Sequence, residues 1–150
     1  MIPLVYVAGP FTAPTAWEIE RNVRAVEDVG ALIVKAGAYP VMPHANTRYF
    51  HGTASAEFFY LGTMSLLIAC HGAIFRDGWR GSAGARREHE RAVSLSMPVY
   101  LEDERERLTL FEWVSECVVP HALLVEADVR AAHMSVAQRM RPAAEGVTPG

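Results

Sequence analysis

The chain has 150 residues, 51% of them apolar, with 14 basic against 17 acidic side chains and a formal net charge of −3. That length carries one domain with a true core, and the lack of a basic excess argues against a nucleic-acid surface, leaving a small molecule as the expected partner. Cys70 and Cys117 stand alone, with no CxxC or paired Cys/His spacing, and the six histidines are scattered, so neither a disulfide framework, a metal nor a cofactor is expected. Both thiols are expected to be reduced and buried.

The segment Ile2 to Ala8 is too short for a signal peptide and lacks its basic flank. No run approaches the roughly 18 apolar residues of a membrane span, so the expectation is a soluble, cytoplasmic protein. Leu4 to Ala8 is a continuous β-branched and aromatic run closed by Gly9-Pro10, the pattern of a central parallel strand. Thr15 and Glu18 have capping-box spacing, and Ile19, Val23, Val26, Ala31, Leu32 and Val34 continue at helical intervals until Gly37. Tyr39 to Met42 reads as a second strand, followed by a long polar loop, Pro43 to Gly52. Glu57 to Cys70 reads as a second helix and Ala73 to Phe75 as a third strand.

The stretch Asp77-Gly-Trp-Arg-Gly-Ser-Ala-Gly-Ala-Arg-Arg-Glu88 then reads as strand, glycine-rich turn and helix. Gly78, Gly81 and Gly84 permit a tight approach of backbone, and the amides that open the next helix form a ready anion cradle. On spacing alone, a plain tight connection explains these glycines equally well. A third helix is expected from about Ser82 to Ser96, and Met97 to Leu101 as the fourth strand. The charge run Glu102 to Arg107 reads as an exposed loop or helix start without chemistry, and Leu108 to Val119 as an amphipathic segment. Beyond Pro120, His121 to Met140 has helical spacing and Arg141 to Gly150 the composition of a disordered tail.

Strands alternating with helices at this spacing predict one three-layer α/β domain over residues 1–140, Rossmann- or flavodoxin-like, with a mostly parallel sheet of about four or five strands. In such sheets a ligand binds beyond the carboxyl ends of the strands, near the switch in strand order. Three loops qualify: Gly9 to Thr15, Pro43 to Gly52 and Asp77 to Ser82. Glu88 is the candidate nucleophile or base. Asp77 and His44 are candidates for helping a leaving group, each against the plainer reading of a turn cap or an exposed loop side chain.

The ordered set Val5-Tyr-Val-Ala-Gly-Pro-Phe11, Asn22, Pro43-His44, Gly78-Trp79-Arg-Gly-Ser82-Ala-Gly84-Ala85-Arg-Arg-Glu88, Ala92 and Pro98-Val99 resembles the nucleoside 2-deoxyribosyltransferase superfamily, most closely its DUF4406 branch. The resemblance implies that Glu88 is the nucleophile or stabiliser at the anomeric carbon of a nucleoside. It also implies a substrate site at Gly9, Pro10, Phe11, Thr12, Asn22, Gly78, Trp79, Ser82 and Gly84. Deoxyribosyltransferases carry Asp six residues before that Glu; Ser82 here resembles the nucleoside 5′-monophosphate N-glycosidase branch, where a serine contacts the 5′-phosphate. The superfamily's acidic residue in the second helix has no counterpart near Thr63 to Ser65. The expected function is an N-glycosidase for a nucleoside 5′-monophosphate or related nucleotide; base exchange and a nucleotide-binding module without turnover are the alternatives. A homodimer or homotetramer is also expected, because the resemblance implies it and because Phe58, Phe59, Tyr60 and Leu61, with a second stripe of Leu110, Phe111, Trp113, Val114 and Val118, exceed what one sheet face can bury.

Overall fold

The structure, a computed structural model, describes residues 1–50, 52–104 and 108–139. Its centre is a four-stranded, all-parallel sheet of β1 (Leu4–Ala8), β2 (Tyr39–Val41), β3 (Gly72–Phe75) and β4 (Val99–Leu101), in the order β2-β1-β3-β4. Parallel pairing requires crossovers, which the helices supply: α1 (Ala16–Lys35), α3 (Ala56–Ile68) and α4 (Ala83–Ser94), with a short α2 (Pro43–Thr47) after β2. The chain steps from β1 outward to β2, then returns to the other side of β1 to lay down β3. The strand order therefore switches between β1 and β3, and the loops leaving their carboxyl ends diverge there into a crevice.

Alternation along β1 and β3 divides the core into two layers. Val5, Val7 and Ile74 face Val26, Val29 and Ile33 of α1, together with Trp113, Val114 and Val118. Tyr6, Ala8, Ala73 and Phe75 face the opposite way, against Leu67 of α3 and Ala85 and Ala92 of α4. Helices on both sheet faces give the three-layer α/β architecture expected from the sequence. The Thr15–Glu18 capping box closes on the first turn of α1, with Glu18 N–H donating to Thr15 Oγ1 at 3.2 Å and Thr15 N–H to the Glu18 carboxylate at 3.1 Å.

Two expectations are corrected, for the stretch after β2 and for Cys117. The stretch after β2 is not wholly loop, because Pro43 opens the five-residue helix α2, a position where its missing N–H costs nothing. The last helical region runs through Pro120: α5 (Leu110–Trp113), a widened turn over Val114–Val118 and α6 (Val119–Arg139) follow one another without a gap. A proline clashes with the carbonyl four residues before it, and Glu116 lies inside the widened turn, where that carbonyl has room. Of the two thiols, Cys70 is buried and its Sγ–H donates to Leu66 O, with burial pushing its pKa up to about 12, whereas Cys117 is only half-buried. The proposed tail, Arg141 to Gly150, lies outside the described residues. Among those described, no helix is long and apolar enough to cross a membrane.

Candidate active site

A cavity of about 720 Å³ opens in the crevice at the carboxyl ends of β1 and β3. The three loops expected at the ligand site all reach it: Gly9 to Thr12 after β1, Pro43, His44 and Thr47 on α2, and Gly78 with Gly81 to Ala85 leading into α4. Helix α3 supplies the remaining wall through Ala56, Phe59, Tyr60 and Thr63. Among the described residues, no Lys or Arg lines this space.

Glu88 is the single acidic side chain on the described cavity wall and is 8% exposed. It lies in the second turn of α4 because the helix begins directly after the glycine turn, with Ser82 as N-cap accepting from Ala85 N–H at 3.3 Å. From β1, Tyr6 donates its hydroxyl proton to Glu88 Oε1 at 2.8 Å. The Thr63 hydroxyl, near enough to influence both groups, gives its proton to Tyr60 O at 3.0 Å. Burial raises the Glu88 pKa, and hydrogen bonds from Tyr6 and Thr63 offset part of that rise. Burial, with the neighbouring carboxylate, pushes the Tyr6 phenol well above its ordinary 10, so it remains a donor throughout the physiological range.

His44 stacks on Phe11 with ring centroids 5.1 Å apart and 28° between planes. Its Nδ1 is buried with no hydrogen-bond partner among the described residues, and burial lowers its pKa to about 4. At neutral pH the imidazole is therefore uncharged. It can offer a leaving base a hydrogen bond but not the proton of an imidazolium, which narrows the role expected for it.

Three sequence candidates stand off the wall. Asp77 is exposed and does not line the cavity; its N–H donates to Glu102 at 3.1 Å, so the geometry gives it no place beside a leaving group. Asn22 donates Nδ2–H to Phe11 O at 3.1 Å, shaping the first loop from behind. Trp79 is buried between sheet and turn, against Phe75 and His89, and its indole N–H donates to Asp103. Gly9, Pro10, Phe11, Thr12, Gly78, Ser82 and Gly84 do line the cavity. Gly78 sits at φ 84°, where any side chain would be strained, and so requires the residue it has.

Sequence reasoning missed Tyr6, Thr63, Tyr60 and Phe59. For Tyr6 a signal existed: a phenol within an otherwise apolar buried strand must find a partner for its hydroxyl. For Thr63 the resemblance marked the neighbourhood, since the superfamily's acidic residue falls near Thr63 to Ser65, but for Phe59 and Tyr60 there was no signal, because that helix is apolar almost all round and shows no preferred face.

Residues 3–101 match the model of a family described as a domain of unknown function, DUF4406. The chain belongs to the DUF4406 family. The matched DUF4406 region contains the four described strands and the described cavity-lining residues, and ends at the last residue of β4, so α5 and α6 lie beyond it. No curated protein matches the chain significantly.

Proposed function

We propose that this DUF4406 protein is an N-glycosidase of the nucleoside 2-deoxyribosyltransferase type, releasing the base from a nucleoside 5′-monophosphate or a related nucleotide. The observation that carries the reading is the pairing of a buried carboxylate, Glu88, with the amino terminus of its own helix in one cavity. Breaking a C1′–N bond leaves the bonding electrons on the base and builds positive, oxocarbenium character at C1′. A carboxylate held in a low-dielectric wall stabilises that charge or bonds to C1′ directly; water then attacks C1′, displacing the carboxylate where it had bonded, and the proton that water gives up balances the one taken up by the departing base. Tyr6 steadies the carboxylate and stabilises its charged form, while the Phe11–His44 stack offers a flat aromatic surface suited to a base.

One turn before Glu88, Ala83 and Gly84 line the cavity from the first turn of α4, where backbone N–H groups have no intrahelical acceptor. Those amides and the hydroxyls of Thr12 and Ser82 suit a phosphate. A panel of nucleosides and their 5′-monophosphates, scored for free base, tests the reading. Base release from the monophosphates without an acceptor is the expected outcome. Release only when a second base is supplied would mean exchange, and binding without release would mean a binding module.

A further inference from the structure

The acidic residues that follow β4 read from the sequence as an exposed, solvated run, yet in the fold they close on the glycine turn from outside. The Glu102 carboxylate accepts from Arg76 Nε at 3.1 Å and from Asp77 N–H at 3.1 Å. Asp103 uses its two oxygens on two consecutive residues of the turn, accepting the Trp79 indole N–H at 3.1 Å and Arg80 Nε at 2.6 Å. Glu104 takes Arg80 Nη2 at 2.6 Å. The guanidinium so held lies over the Trp79 ring, 4.4 Å from its centroid.

Trp79 and Arg80 are followed at once by Gly81, Ser82, Ala83 and Gly84, which line the cavity. A turn with three glycines in seven residues has little stiffness of its own. No cation lines the described cavity, so attraction for an anion there rests on aimed amides and hydroxyls, and aim depends on what holds the turn. The same carboxylates occupy Arg76 and Arg80, the cations on the strand side of the turn and within it, while Arg86 on the helix side donates to Arg80 O.

We infer that Asp103 is a positioning residue for phosphate binding, setting the Gly78–Gly84 turn through Trp79 and Arg80 so that its amides converge on the ligand. This rests on the reading that the cavity takes a 5′-phosphate. Asp103 lies just past the DUF4406 match and is not among the described residues that line the cavity, so the proposed effect runs through the turn.

The test uses ¹⁵N-labelled full chain titrated with ribose 5-phosphate. In the parent, the Ala83 and Gly84 amides should shift on titration, and the Trp79 indole N–H, assigned by its loss in Trp79→Phe, should show a hydrogen-bonded shift. In Asp103→Ala the indole signal should move upfield, the turn amides should exchange faster, and affinity for ribose 5-phosphate should fall about tenfold. Asp103→Asn keeps the side-chain shape and should change in the same direction by less, which preserves the test if the alanine variant unfolds. Glu104→Gln, an outer and exposed partner, should stay within about twofold. An unmoved indole signal would show that Asp103 does not hold the turn. A loosened turn with unchanged affinity would show that the cradle does not depend on it; either result overturns the inference. A parent chain whose Ala83 and Gly84 amides ignore ribose 5-phosphate would instead remove the phosphate reading, and the ligand half of the inference with it.

Discussion

Burial favours the protonated form of Glu88, whereas the proposed chemistry needs its carboxylate. Because its folded pKa lies above the ordinary 4.5, the native state holds a proton there more tightly than the unfolded chain does. The stability gained from that proton is complete below about 4.5 and is lost as pH rises through the raised folded value. Glu88→Gln, which cannot ionise, should therefore melt progressively higher than the parent as pH is raised from 4 to 8; a constant difference in melting temperature would contradict the burial argument. The rate of base release, which needs the carboxylate, should rise with pH through the same ionisation. Tyr6→Phe removes a hydrogen bond that favours the charged form and should move that rise to higher pH; an unmoved profile would mean that Tyr6 only packs. Ser82→Ala should raise KM for a 5′-monophosphate more than for the parent nucleoside, by the equivalent of about 1.5 to 3 kcal/mol for a hydrogen bond to a charged group. Equal effects on both substrates would confine Ser82 to its capping role.

Packing between elements makes unequal demands on two buried glycines. A Cβ on Gly72, at the start of β3, would stand 2.8 Å from Val118 Cγ2 and 3.2 Å from Trp113 Cη2, both on the rigid helical layer under the sheet. A Cβ on Gly30 of α1 would meet Met42 Sδ at 2.5 Å, but that is the end of a flexible side chain. Gly72→Ala should therefore cost about 1 to 3 kcal/mol of unfolding free energy by overpacking, measured in urea. Gly30→Ala, which also gains helix propensity, should come out near neutral. The reverse ranking would contradict the described packing. The strands were legible in the sequence because a parallel strand buried on both faces is one unbroken apolar run, as Leu4 to Ala8 and Gly72 to Phe75 are. Helix α2 was not, because five residues carry no period, although Pro43 marked its start. The role of Glu102, Asp103 and Glu104 was also hidden, since their partners lie 23 to 26 residues away and only the fold brings them together.

For the whole molecule, the two apolar surpluses seen in the sequence have different fates. Trp113, Val114 and Val118 are consumed by the core of the sheet, whereas Phe58 at 65% and Leu61 at 58% exposure remain uncovered on α3, beside the half-exposed Ile68. An apolar face of that extent next to the cavity predicts a homodimer or homotetramer, with multi-angle light scattering giving a multiple of the 16.5 kDa chain mass. A monomer mass at micromolar concentration would contradict it. The crevice was foreseeable from the alternation of strands and helices, which puts three loops at the strands' carboxyl ends, and Glu88 from its place after the glycine turn, but the phenol and threonine near the carboxylate come from β1 and α3 and needed three dimensions. The account as a whole depends on chemistry at that carboxylate. The most direct measurement is base release by Glu88→Ala, on the monophosphate that the parent cleaves best, with binding of the same compound followed in parallel. A loss of several orders of magnitude in rate with binding largely kept is the predicted result, and a variant within about threefold of the parent would contradict the assignment of Glu88.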